Sequence, residues 1–188
     1  MSKRRRVGIR TDKFYQSWSF KVEQTEVSTE EEFAIRTPRP VQAPPAGRFY
    51  AIEIHSIEYF IPYHSKSSQS TEVLVSITTS PKEGREPFIT HAGDPENIFW
   101  YEQRNYGDHT PSAGIPPTQT QITNRIDCTD ALGHGRLLVG DNIYVQVSSN
   151  TFVETEVIAG FKISYTYTTV GCLDYVQELT AQVTSSTN

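Results

Sequence analysis

Cysteine is scarce in this chain. Cys128 and Cys172 are the two copies in 188 residues, too few for the disulfide framework of a small secreted domain. Two buried thiols are expected rather than one bridge. No apolar run approaches the 18 residues of a membrane span, and the mean hydropathy is -0.48, so no membrane insertion is expected. The opening MSKRRRVGIR is basic and then turns polar, without the apolar stretch of a secretory signal. There is no N-x-[ST] glycosylation acceptor. Sustained helical periodicity is missing, as is any 20–50-residue repeat, which argues against a solenoid or propeller. Enzyme signatures are missing too: no G-x-S-x-G elbow, P-loop, G-x-G-x-x-G, H-E-x-x-H or C-x-x-C. What is left is one soluble domain from a reducing compartment, with tails at most.

Charge is present but unevenly placed. The formal net charge is -5. Residues 1–13 hold Lys3, Arg4, Arg5, Arg6, Arg10 and Lys13 against Asp12, a net +5, which leaves -10 on the rest. Crowded like charges with no apolar face cannot bury enough surface to fold, so this arm is expected to be disordered by itself. Such an arm gains free energy by neutralising phosphates and releasing counterions, with little sequence preference. A nuclear address or a plain solubilising terminus would use the same residues, and the arm alone does not choose among the three.

The body reads as strands. Trp18, Phe20 and Val22 alternate with polar residues, which is the period of a half-buried strand. The stretch Thr37 to Gly47 has four prolines and must be a connection, because proline donates no ladder hydrogen bond. Tyr50, Ile52 and Ile54 share one face, whereas Ile57, Tyr59 and Ile61 take the opposite parity. That change predicts a bulge near His55–Ser56. Val73, Val75 and Ile77 mark a third strand. From Lys82 to Thr120 the pattern degrades into a long loop-rich region in which Asn97–Tyr101 looks buried. A strand over Thr120–Cys128 follows. Alternation then returns at Ile143, Val145 and Val147, and again from Val157 to Tyr167. Two segments could be short helices: Thr29–Ile35, with a threonine cap and acids in its first turn, and the stretch carrying Leu173, Val176 and Leu179.

This pattern predicts an all-β, single jelly-roll sandwich of eight antiparallel strands in two sheets, preceded by a short basic arm. The expected organisation is an arm over 1–13, a jelly roll over 14–170 with surface or interface loops near 37–47 and 82–120, and a tail over 171–188. An immunoglobulin-type module is disfavoured by length and by the lack of a tryptophan between the two cysteines.

The densest polar cluster is Asp127–Asn142, DCTDALGHGRLLVGDN. Asp127, Asp130, His134 and Asp141 could in principle serve a metal or an acid/base pair, but no known ligand spacing is matched. The better reading is turns, with Gly133 and Gly135 allowing positive φ and Gly140-Asp141-Asn142 leading into a strand. His55, His64, His91 and His109 are scattered and read as ordinary side chains. Phe99, Trp100 and Tyr101 could stack bases, but adjacent strand residues point to opposite faces, which favours core plus intersubunit packing. Glu154 and Glu156 read as solvated charges. No catalytic residue, cofactor or metal ligand is assigned.

One stretch is more specific. The elements Gly133-His134-Gly135, Leu137–Val139, Asp141–Tyr144 and Asn150-Thr151, then the strand ending FKISYTYTTV, resemble the C-terminal half of coat proteins of circular Rep-encoding single-stranded DNA viruses. Leu173-Asp174-Tyr175-Val176 is similar to the tail of some of them, and about 60 residues carry the likeness well. The resemblance implies a circovirus-like capsid protein whose jelly roll self-assembles, in about sixty copies, around a single-stranded DNA genome. It places the chain in the virion, with assembly in the host nucleus, and puts Lys3, Arg4, Arg5, Arg6, Arg10 and Lys13 on the DNA. The arm is shorter than in many such coats. About sixty arms of net +5 would supply about 300 charges, so body residues or small cations would have to share the neutralisation. The alternatives are a soluble carbohydrate-binding jelly roll (lectin or adhesin), the coat of a small satellite RNA virus, and, more remotely, a cupin-like metal enzyme. The last would need a two-His-plus-carboxylate spacing that does not occur here.

Overall fold

The computed structural model describes residues 15–26, 29–62, 71–82, 97–105, 124–150, 153 and 156–184. Nine strands and one helix occur among them: β1 (Gln16–Glu23), β2 (Glu30–Arg36), β3 (Arg48–Phe60), β4 (Thr71–Thr78), β5 (Asn97–Asn105), β6 (Asn124–Asp127), β7 (Arg136–Leu138), β8 (Asn142–Ser149), β9 (Ile158–Gly171) and α1 (Cys172–Thr184). They form two wholly antiparallel sheets. The first has the order β1-β9-β3-β6, with β7 also on β3, and the second runs β2-β8-β4-β5.

The expected count of eight strands becomes nine for a local reason. β6 pairs with Ser56–Tyr59 and β7 with Ile52–Ile54, so both lie along one edge of β3. They are one edge strand interrupted by a turn, which leaves four positions in each sheet and the jelly-roll arrangement. β7 has three residues, too few to show a period.

Alternation places the core where the sequence put it. Val73, Val75 and Ile77 from β4, Ile143, Val145 and Val147 from β8, and Ala159 and Ile163 from β9 have no exposure at all. Each of the larger ones contributes roughly 1.5–3 kcal/mol relative to being left in water. β3 switches parity as expected. Its pairing with β9 slips between Ile54 and Ser56, and Ile54 and Ile57 are both fully buried on either side of the slip. The bulge sends His55 and Ser56 to the same, outward side of the first sheet.

Three expectations are corrected. Thr29–Ile35 is not a helix: Glu30–Arg36 is β2, an edge strand laid on β8 with Phe33 and Ile35 turned to the core. The acids that looked like a helix first turn lie along a sheet edge, where charge discourages pairing with another chain. The region 82–120 is not all loop, since β5 runs nine residues through it; residues 83–96 and 106–123 lie outside the described residues. The two thiols are free but not both buried, because Cys128 is half-buried and Cys172 exposed. Of the strand expected over Thr120–Cys128, Asn124–Asp127 is seen. The helix carrying Leu173, Val176 and Leu179 is present as α1, and no helix among the described residues is long and apolar enough to cross a membrane.

Candidate functional site

The six basic residues expected to touch nucleic acid, Lys3, Arg4, Arg5, Arg6, Arg10 and Lys13, lie outside the described residues. The first described residue after them is Tyr15. Tyr15, just before β1, sets its ring edge-on to His55, with centroids 4.8 Å apart and planes at 80°. His55 is buried, and its Nε2 is 2.9 Å from Thr166 Oγ1 on β9. Tyr15 is thus seated over the bulge, on the outward side of the first sheet.

That side is not itself basic. By register, Ser19, Lys162, Glu58 and Arg125 form one row across it, and Ser17, Ser164, Ser56 and Asp127 the next. Lys162 Nζ lies 3.4 Å from Glu58 Oε2, and Lys21 Nζ lies 2.8 Å from Glu23 Oε2. The described bases of this face, Lys21, Arg125 and Lys162, are opposed by Glu23, Glu53, Glu58 and Asp127. A polyanion therefore finds no net attraction on the described part of this face.

The acidic cluster 127–142 is used for turns. Asp127 Oδ1 accepts from the Thr129 amide at 3.0 Å and hydroxyl at 2.7 Å. Asp130 Oδ1 accepts from the Leu132 and His134 amides, both at 2.8 Å. Gly133 has the expected positive φ of 80°. Gly135 does not; it serves a close approach, with its amide donating to Glu53 Oε1 at 2.7 Å. The Asp141 carbonyl accepts from the Thr37 amide and hydroxyl. Among the described residues no three His, Cys, Asp or Glu side chains come together to hold a metal. His134 is exposed, Glu156 is exposed as expected, and His64, His91, His109 and Glu154 lie outside the described residues.

These hydrogen bonds predict an acid response. The Thr129 hydroxyl and then its amide hold Asp127 below the ordinary carboxylate range. The His134 amide does the same for Asp130. For Glu31, partial desolvation pushes upward, but hydrogen bonds from Thr25, Glu26 and Thr29 outweigh it and the net direction is down. Groups lowered on folding stabilise the fold above their unfolded pKa, and that contribution is lost as pH falls through the folded value. The amide resonances of Thr129 and His134 should therefore titrate with midpoints below that of an unperturbed carboxylate, together with a falling melting temperature. Midpoints at or above that of an unperturbed carboxylate would remove these bonds from the account.

Sequence reasoning missed a buried polar network on the outward side of the second sheet. Glu32, Gln146, Ser76 and Trp100 form one row there by register. Gln146 Nε2 donates to Glu32 Oε2 and Thr78 Oγ1, both at 2.8 Å, and Ser76 Oγ donates to Gln146 Oε1 at 2.8 Å. The Lys82 amide donates to the same Glu32 oxygen at 2.6 Å. Ser76, Thr78 and Gln146 have no exposure although they face outward, and the Thr78 hydroxyl also donates to the Ser80 carbonyl at 2.7 Å. The network also fixes the aromatic triplet. Phe99 packs on Tyr59 and Phe161, and Tyr101 packs on Tyr59, which leaves Trp100 on the outward side. Three bases could not stack on these three rings together.

No family model matches the chain, and no curated protein does. Solved structures do match in fold. The chain is similar to VP1 of Trichodysplasia spinulosa-associated polyomavirus in complex with GM1 oligosaccharide, with a TM-score of 0.53 at 11% identity over 84% of this chain and 94% of that one. It is similar to apo New Jersey polyomavirus VP1, with 0.54 at 9% over 84% and 99%. Merkel cell polyomavirus VP1 in complex with disialyllactose gives 0.52 at 10% over 83% and 95%. These neighbours are jelly-roll capsid proteins and not enzymes, and at such identities what the likeness establishes for this chain is the jelly-roll fold.

Proposed function

We propose that this chain is the coat subunit of a small virus with a circular single-stranded DNA genome. In this reading about sixty copies close an icosahedral shell with the basic arms on the DNA. The observation that carries the reading is the joining of a net +5 segment to a jelly-roll body similar to viral capsid proteins. The described face at the arm root is charge-balanced, so the arm supplies the polyanion affinity. DNA rather than RNA and assembly in the nucleus rest on the resemblance in residues 130–176, and an arm over 1–13 on a domain over 14–170 rests on the charge and strand pattern of the sequence. A carbohydrate-binding module is the second reading, favoured by two neighbours having been solved with bound oligosaccharides.

Size-exclusion chromatography with light scattering, on chain purified without nuclease and read at 260 and 280 nm, tests this. A particle on the order of a megadalton with excess absorbance at 260 nm, releasing nuclease-protected DNA, is expected. Released RNA would move the assignment to a satellite RNA virus coat. A nucleic-acid-free monomer or trimer across salt and pH would overturn the shell and make a glycan screen decisive.

A further inference from the structure

Helix α1 follows β9 directly and is tied to the body through Tyr175. The Tyr175 ring stacks on Phe49 at 4.4 Å between centroids and 24° between planes, and its hydroxyl donates to the Val139 carbonyl at 3.3 Å. Three other large apolar side chains of the helix point away. Leu173, Val176 and Leu179 are 70%, 51% and 38% exposed. At about 100° per residue they fall within about 120° of one another, on a stripe centred on Val176 and beside Tyr175 rather than under it. Single exposed aliphatics are ordinary. Three on one stripe of a 13-residue helix are not, because helices of that length are marginal in water and are held by burying an apolar face.

The stripe shares its end of the sandwich with more apolar surface. Phe49, under Tyr175, is itself exposed, and so is Val41. Val41 follows Pro40, which lines a small cleft with Tyr50, Val139 and Tyr167. Charge on this end is divided. The helix sequence holds Asp174 and Glu178 and no base, whereas residues 36–52 hold Arg36, Arg39 and Arg48 and no acid. Arg39 is already paired with Asp141, so Arg36 and Arg48 carry the positive charge offered to the helix. The helix would be repelled by an anionic membrane or a nucleic acid. The surface it fits is apolar and basic, and the same end of another copy provides that.

We propose that this end is a contact between two copies of the chain, related by a two-fold axis, with the α1 stripe of each on the Val41–Phe49 segment of the other. The pairing is self-complementary, as a two-fold contact must be. It names one contact within the proposed shell and rests on that reading for the number of copies. The apolar groups amount to a few hundred Å² per copy, below the roughly 800 Å² per partner of a stable isolated interface. The pair is therefore weak alone and gains strength when other contacts hold the copies together.

Two measurements test it. In the first, L173S, V176S and L179S are combined, and sedimentation and melting are compared with wild type. In the second, maleimide labelling of native Cys172, which is exposed in the subunit and lies on the stripe, is timed before and after association. The expected result is a folded variant with a melting temperature near wild type and a concentration for assembly raised at least tenfold. Cys172 should label at least tenfold more slowly in wild-type particles. Variant shells of unchanged size and threshold, or Cys172 labelling equally fast in shell and subunit, would overturn the contact and leave the shell reading standing. A wild-type dimer that never closes a shell, and is lost in the variant, would keep the contact and overturn the shell. A wild type that is monomeric at every concentration would overturn both. If the triple variant fails to fold, the Cys172 timing in wild type decides alone.

Discussion

Replacing Gly135 by alanine is expected to destabilise the subunit by about 3 kcal/mol and to lower its melting temperature by about 10 °C. A Cβ at this position would lie 2.3 Å from the Ile54 carbonyl oxygen and 2.8 Å from its carbonyl carbon. These are backbone atoms of β3, next to the bulge and paired with β9 on the other side, so they cannot turn aside as a side-chain tip could. Relief would require β7 to separate from β3, which exposes Leu138, now buried in the core. Gly133→Ala is the matched control. It meets no atom within 4 Å and bears the strain of its positive φ, roughly 1 kcal/mol. Thermal unfolding of the two variants as unassembled subunits should therefore rank Gly135 well above Gly133. Equal melting temperatures would mean that β7 does not approach β3 as described.

Deleting residues 1–13 is expected to leave the body folded and to abolish most nucleic-acid binding. With six bases per arm, affinity for single strands should fall with the logarithm of salt at a slope of about -4, a loss of several hundred-fold between 50 and 200 mM. The truncated chain should show a slope near zero, because Lys21 and Lys162 are already engaged with Glu23 and Glu58. Its particles should absorb at 260 and 280 nm as protein alone. Truncated particles carrying full-length, nuclease-protected DNA would sink the assignment of the arm, as would an unchanged salt slope.

What was legible in the sequence was whatever repeats along one strand. The alternation from Val157 to Tyr167 is enough to place β9, and the parity change in β3 located a bulge within one residue. Thr29–Ile35 went wrong because a threonine followed by acids is a helix start by local rules, whereas Phe33 and Ile35 spaced two apart is the strand signal that tertiary packing selected. The Glu32–Gln146–Ser76 row could not be read at all. It needs the registers of three strands at once, and each residue alone looks like a solvated side chain. The exposure of Cys172 depends on where α1 lands, and no local pattern encodes that. The basic segment 1–13 is the opposite case: composition alone marks it.

The order of the first sheet constrains how the chain can be made. β1 is the first of the described strands to be synthesised, and its neighbour is β9, with Gln16 meeting Tyr165 at a separation of 149 positions. β9 also lies between β1 and β3, so until the ribosome has finished it the first sheet lacks its middle. The second sheet and the β6 and β7 pairings on β3 can form before then. β1 and the β9-side edge of β3 must wait unpaired, the slow and aggregation-exposed regime of long-range strand pairing. The basic segment 1–13 leaves the ribosome before any of this, a run of positive charge attached to an unfinished fold.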